Sequence, residues 1–247
     1  MKLDLKRIHL PQLAVVVLIA AAAKLYYSTA GVSDLLWVLA PTTLLVELVT
    51  GELFTFEANA GYMIRDHSFL IAASCSGVNF MITAFLMLNL SRPGRTRKWM
   101  FIPGSMLASY LAAILANTVR IATALQIRSL DSESVWLNPD QLHRFEGIVI
   151  YFGFLLLLFF LSERVGSVDA PLLGNSPGLL RRMAFPLLVY YSVTLAVPLA
   201  SLAFRGGSGS SGFLEHLLFV LIIPILLLLI FAALSFLIDR RSRYFPW

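Results

Sequence analysis

Charge is what this chain has least of: of 247 residues only 13% are charged, while 58% are hydrophobic and the mean hydropathy is +0.81. Soluble domains carry about a quarter charged residues, so that shortage excludes a water-soluble fold. Cysteine is nearly as scarce. The single Cys75 excludes an intrachain disulfide framework and any CxxC metal site, so no metal or other cofactor is expected. No block of like charge reads as a nucleic-acid footprint, although the net charge is +5 and the pI about 9.6. The basic residues sit in short clusters between apolar runs, which is the pattern of membrane topology and of a lipid-bilayer partner rather than of nucleic acid.

What is abundant is apolar sequence in long runs, such as Phe154 to Leu161 and Leu217 to Ala233. These approach or reach the ~20 apolar residues that a helix needs to cross a bilayer. Apolar segments fall near residues 9–28, 34–54, 69–90, 99–127, 145–162, 183–203 and 215–238, with no internal repeat. Strand edges exposed to lipid would leave backbone groups unsatisfied, so all seven are expected to be helical. The fold class that follows is all-α, a polytopic transmembrane helical bundle forming a single integral membrane domain over residues 1–247. The basic N-terminus, MKLDLKRIHL, is followed by no A-x-A-like site before Lys24, and reads as the start of a retained first span.

Orientation follows from the loops. Arg92, Arg95, Arg97 and Lys98 form the strongest basic cluster, with Arg164, Arg181 and Arg182 a second and Arg240, Arg241 and Arg243 a third. Cytoplasmic loops carry such an excess, which places all three inside and residues 55–68, 128–143 and 206–212 outside. Lys2, Lys6 and Arg7 also favour the inside. An inside N-terminus and an outside 55–68 loop need an odd number of crossings before residue 55, yet two apolar segments precede it. The weaker, 34–54, contains Pro41, Thr42, Thr43, Glu47 and Thr50, and is expected to be re-entrant or broken. The expected count is therefore about six full crossings, in a prokaryotic plasma membrane.

Three chemically capable residues fall at one depth near the outer face. Cys75 lies in Ala73-Ser74-Cys75-Ser76-Gly77-Val78-Asn79, Arg120 in Asn117-Thr118-Val119-Arg120-Ile121, and His143 opens His143-Arg144-Phe145-Glu146-Gly147. A thiol becomes a nucleophile on ionisation, favoured by nearby positive charge and opposed by apolar burial. A histidine can take that proton and return it to a leaving amine. Arginine stays protonated and suits an oxyanion or a thiolate. The set fits acyl transfer through a thioester, with catalytic core helices over 69–162.

Each member also has an ordinary role. A lone membrane cysteine usually packs as a small apolar residue, and a histidine at an interface is commonplace. Arg120 is harder to set aside, because a central membrane arginine costs ~2.5–3.5 kcal/mol on insertion scales. Asn117, on the same helical face as Arg120, can orient the guanidinium or a substrate carbonyl, or bond between helices. Asn79 has the same ambiguity, and Glu146 can orient His143, pair with Arg144 or face water. Glu47 needs a partner, with Arg120 and Arg65 as candidates. If Glu47 and Arg120 instead line a polar pathway, the alternative function is a small transporter or channel.

At Cys75-Ser76-Gly77, Asn117-Thr118-Val119-Arg120-Ile121 and His143 with Gly147, spaced by 45 and 23 residues between Cys75, Arg120 and His143, the chain resembles the exosortase/archaeosortase family of membrane cysteine transpeptidases. The likeness spans roughly 69–162, and the short length suits a form like exosortase K. The resemblance implies that Cys75, Arg120 and His143 are catalytic. It also implies cleavage of a C-terminal sorting signal on membrane-anchored substrate proteins at the extracytoplasmic face.

Overall fold

The computed structural model describes residues 10–91, 99–129, 139–164, 182–195 and 217–233. The basic cluster at 92–98, the Gly/Ser-rich turn at 206–212, the C-terminal arginines and most of the 128–143 loop lie outside the described residues. Contacts divide the chain into two compact units, Met1–Asn138 and Pro139–Trp247, so the expected core of 69–162 draws residues from both.

The first unit opens with α1, Leu10–Thr29, an Ala/Val/Leu run with Pro11 in its first turn, where a missing N–H costs nothing. A 3-10 turn, Ser33–Leu35, leads into α2, Leu36–Thr50. Three short antiparallel strands follow: β1 Phe54–Glu57, β2 Gly61–Ile64 and β3 Leu70–Ile71, with β2 in the middle. A second 3-10 turn, Ala73–Cys75, enters α3, Val78–Leu90, and α4 runs over Phe101–Ser129. α3 is the most enclosed element, with Val78, Met81, Ala84, Phe85, Met87 and Leu88 all buried. The second unit holds α5, Pro139–Arg164, with α6 over 182–195 and α7 over 217–233. Within it, Arg182 pairs with Glu163, the Tyr191 hydroxyl donates to Leu221 C=O at 2.6 Å, and Phe152 meets Tyr190 edge-on at 5.4 Å.

The architecture is helical, and five helices among the described residues are long and apolar enough to cross a membrane. They are Pro11–Thr29, Ser33–Thr50, Ala73–Leu90, Phe101–Ile127 and Gln141–Arg164. Leu18, Leu48, Leu107, Leu115 and Leu157 stand exposed on them, as expected of faces solvated by lipid. The small sheet lies where a plain loop at 55–68 was expected, and its third strand, Leu70–Ile71, takes the start of the 69–90 segment that was expected to be helical.

The 34–54 segment is not broken at its proline. Pro41 sits inside a continuous α2, where its ring removes the bond that Trp37 C=O would otherwise accept. The Tyr110 hydroxyl of α4 donates to that carbonyl at 2.8 Å, and the two rings stack at 5.7 Å. A neighbouring helix thus satisfies the group that proline released, which is how proline is tolerated at membrane depth.

The segment does double back. The Ser33 hydroxyl, at the head of α2, lies 3.4 Å from Ala58 C=O, beyond the end of β1. Residues 33–50 in helix cover roughly 27 Å, and residues 51–58 in extended form cover roughly 26 Å. The lengths match an out-and-back path whose two ends share one level. Glu47 fastens the return: its Oε1 accepts the Phe54 N–H at 2.8 Å, and its backbone C=O accepts Gly51 N–H at 2.8 Å. Neither Arg120 nor Arg65 is its partner, which corrects the expected pairing. Burial, aided by the Glu47 charge, holds the Tyr62 phenol above its ordinary pKa.

Candidate functional site

β3 ends in extended backbone at Ala72, and the chain then tightens into the 3-10 turn that carries Cys75. Cys75 N–H donates to Ala72 C=O at 2.9 Å and Ser76 N–H to Ala73 C=O at 3.1 Å. Gly77 then turns the chain through φ +72°, and Met81 N–H closes the first bond of α3 on Gly77 C=O at 3.0 Å. A left-handed residue here favours glycine on backbone grounds. Space alone would admit a methyl, since an added Cβ would lie at ordinary contact distance, 3.4 Å from Asn117 Cβ and 3.7 Å from Ala113 C=O. Asn117, fully buried on α4, donates its side-chain amide to Cys75 C=O. The thiol-bearing turn is therefore clamped by α4 from one side, while Cys75 itself is only half-buried.

Arg120 lies one turn beyond Asn117 on α4, so residues on one face of that helix carry both the clamp and a cation. It is half-buried, with Nε shielded from solvent. A third helix reaches the same region: Lys24 of α1 donates to Asn79 Oδ1 at 2.7 Å and lies 5.3 Å from the centre of the Tyr27 ring. Asn79 is the second residue of α3. Lys24 was not among the residues singled out from sequence; a lysine inside a first apolar span was the available signal, since intramembrane charges mark functional positions by default.

His143 and Glu146 belong to the second unit, in the first turns of α5. His143 is exposed and Glu146 buried, with His143 Nδ1 at 4.0 Å from Glu146 Oε2. That separation is beyond a hydrogen bond, yet it places a buried carboxylate beside one face of the imidazole. The first unit thus joins Cys75 to Asn117, one turn before Arg120 on α4, and Lys24 to Asn79 at the entry of α3, and the second sets His143 beside Glu146. No group of three or more His, Cys, Asp or Glu with metal-binding geometry occurs among the described residues.

Comparison with protein families, with characterised proteins and with solved structures finds no match to this chain.

Proposed function

We propose that this protein is a membrane-embedded cysteine peptidase or transpeptidase of the exosortase kind. In this reading Cys75 is the nucleophile, Arg120 the oxyanion partner and His143 the proton carrier. The observation that carries it is the turn at Cys75: the only thiol of the chain sits half-buried in a 3-10 turn, held by Asn117 on the helix that also bears Arg120.

In the proposed reaction the thiol gives its proton to His143 and sulfur attacks the scissile carbonyl. Arg120 stabilises the negative oxygen of the tetrahedral intermediate. The C–N bond then breaks, His143 returns the proton to the departing amine, and a thioester joins Cys75 to the retained fragment. An acceptor amine or water releases it and restores the thiol. Membrane-anchored proteins with a C-terminal sorting signal are the proposed substrates. The proposed location of the chemistry is the extracytoplasmic face of the plasma membrane, on the strength of the basic-loop bias.

Purified protein, reconstituted with a membrane-anchored substrate carrying such a signal, tests this reading. Cys75→Ala should abolish cleavage. Arg120→Ala should lower the rate by ~10²–10³, the usual cost of losing one oxyanion donor. Arg120→Lys should restore only part, because an ammonium lacks the planar fork. Cleavage at the wild-type rate by a folded Cys75→Ala protein overturns the proposal, and transport assays would then take its place.

A further inference from the structure

We propose that the outer edge of β3, at Leu70 and Ala72, is the docking strand for the substrate. The substrate enters as an extended chain, pairs its backbone with this edge and so brings its scissile peptide bond to Cys75. This inference rests on the peptidase reading and adds to it the form in which the substrate binds.

Hydrogen-bond direction decides which backbone groups the edge presents. β2 is the central strand, and its residues alternate between its two neighbours. Ile64 N–H donates to Phe69 C=O at 3.1 Å, so Ile64 and Tyr62 turn their backbone groups toward β3, and Met63, between them, turns toward β1. Leu70 is paired in register with Met63 and therefore receives no bond from it. Its N–H and C=O point away from the sheet. By the same alternation the Ala72 N–H points outward, while the Ala72 C=O is taken by Cys75 N–H. The edge thus offers two donors and one acceptor in extended geometry, a set complementary to another extended backbone. Leu70 on this edge is 39% exposed.

The opposite edge is fastened at two points. The outward N–H of Phe54 is occupied by Glu47 Oε1, and the far end of β1 is fastened to Ser33 through Ala58 C=O. Of the two edges, that of β3 runs into the thiol turn. A peptide crossing a membrane as a helix hides its carbonyls in its own hydrogen bonds, and an unwound one needs other partners at that depth. An edge strand that ends four residues before the nucleophile supplies them.

The test uses the full-length protein and three peptide chloromethyl ketones of one sequence, acetyl-Val-Thr-Val-Thr-Val-Ala. One is unmodified, one is N-methylated at the odd amides and one at the even amides. Alkylation is read by intact mass, with Cys75→Ala as the site control and iodoacetamide as the measure of thiol reactivity without a peptide. Strand pairing uses only alternate amides, so one methylated reagent should label Cys75 about fivefold more slowly than the parent, the effect of losing the one modest hydrogen bond that a peptide N–H makes to Leu70 C=O, and the other should match the parent. Ala72→Pro, which removes one outward N–H at a φ of −86° that proline nearly accommodates, should erase part of the parent's advantage. Ala72→Val should keep it, and iodoacetamide rates should stay level throughout. Equal labelling by all three reagents on the wild-type protein overturns strand docking, whether or not the proline variant folds. An alternating pattern in a protein whose Cys75→Ala variant still processes substrate would sink the peptidase reading and leave the docking edge standing.

Discussion

Gly77 and Asn117 act as one device on the Cys75 turn, and each can be tested alone. Gly77→Ala forces a side chain into left-handed backbone, so it should destabilise the protein by about 1–2 kcal/mol, read as a lower melting temperature in detergent. Asn117→Asp keeps the shape but loses the donor to Cys75 C=O. It should reduce cleavage while the protein still inserts and folds, and an Asn117→Asp variant with full activity would show that the clamp is not needed for chemistry. Much of this was legible beforehand: the Cys75-Ser76-Gly77 run and the Asn117/Arg120 spacing both drew attention from residue type alone. The use of Asn117 was not, because an amide serves a guanidinium, a carbonyl or a neighbouring helix equally well on paper. Only the fold brings Cys75 C=O to it. Lys24 was missed for a related reason, since its partner Asn79 is 55 positions away.

Among the elements, α2 is where local rules mislead most. Proline inside an apolar helix normally argues for a break, and sequence contains no hint that Tyr110, 73 residues beyond Trp37, supplies the missing donor. The two residues should therefore be energetically coupled. Tyr110→Phe should cost about 1–3 kcal/mol by leaving Trp37 C=O unsatisfied. In a Pro41→Ala background, where the restored backbone N–H at position 41 bonds that carbonyl itself, the same change should cost little. Denaturation of the four proteins in detergent measures the cycle, and additive effects would remove the explanation. The sheet escaped notice because its strands are at most four residues long. Their alternation, Phe54-Thr55-Phe56 and Tyr62-Met63-Ile64, was hidden by the expectation that membrane proteins fill such gaps with loops. Gly61 was the usable sign: a Cβ there would strike Ile71 C=O at 2.2 Å, so the hairpin closes only around glycine.

For the molecule as a whole, we propose that the out-and-back path of residues 33–58 answers the parity conflict in the charge pattern. In that proposal α1 counts as one crossing, the α2–β1 excursion returns to its starting level and α3 crosses next, which joins an inside N-terminus to a sheet on the outer side. Single cysteines placed in the 55–68 segment of a Cys75→Ala protein should therefore react with an impermeant maleimide on intact cells, and cysteines in 92–98 should react only after lysis. The reverse labelling would invert the whole scheme and move the proposed chemistry to the cytoplasm. The broad helical architecture was legible from hydropathy because lipid admits few backbone solutions. The relation of residue type to reaction is more demanding, since Cys75, Arg120 and His143 each have ordinary uses. The central claim is that Cys75 breaks peptide bonds in exported proteins, and the C-termini of those proteins in the native host test it most directly. Quantitative sequencing of these termini should find trimmed proteins in cells carrying the wild-type gene and in those complemented with it. Cells carrying inserted and equally abundant Cys75→Ala or Cys75→Ser protein should retain every sorting tail intact; trimming at the wild-type level in either strain would contradict the account.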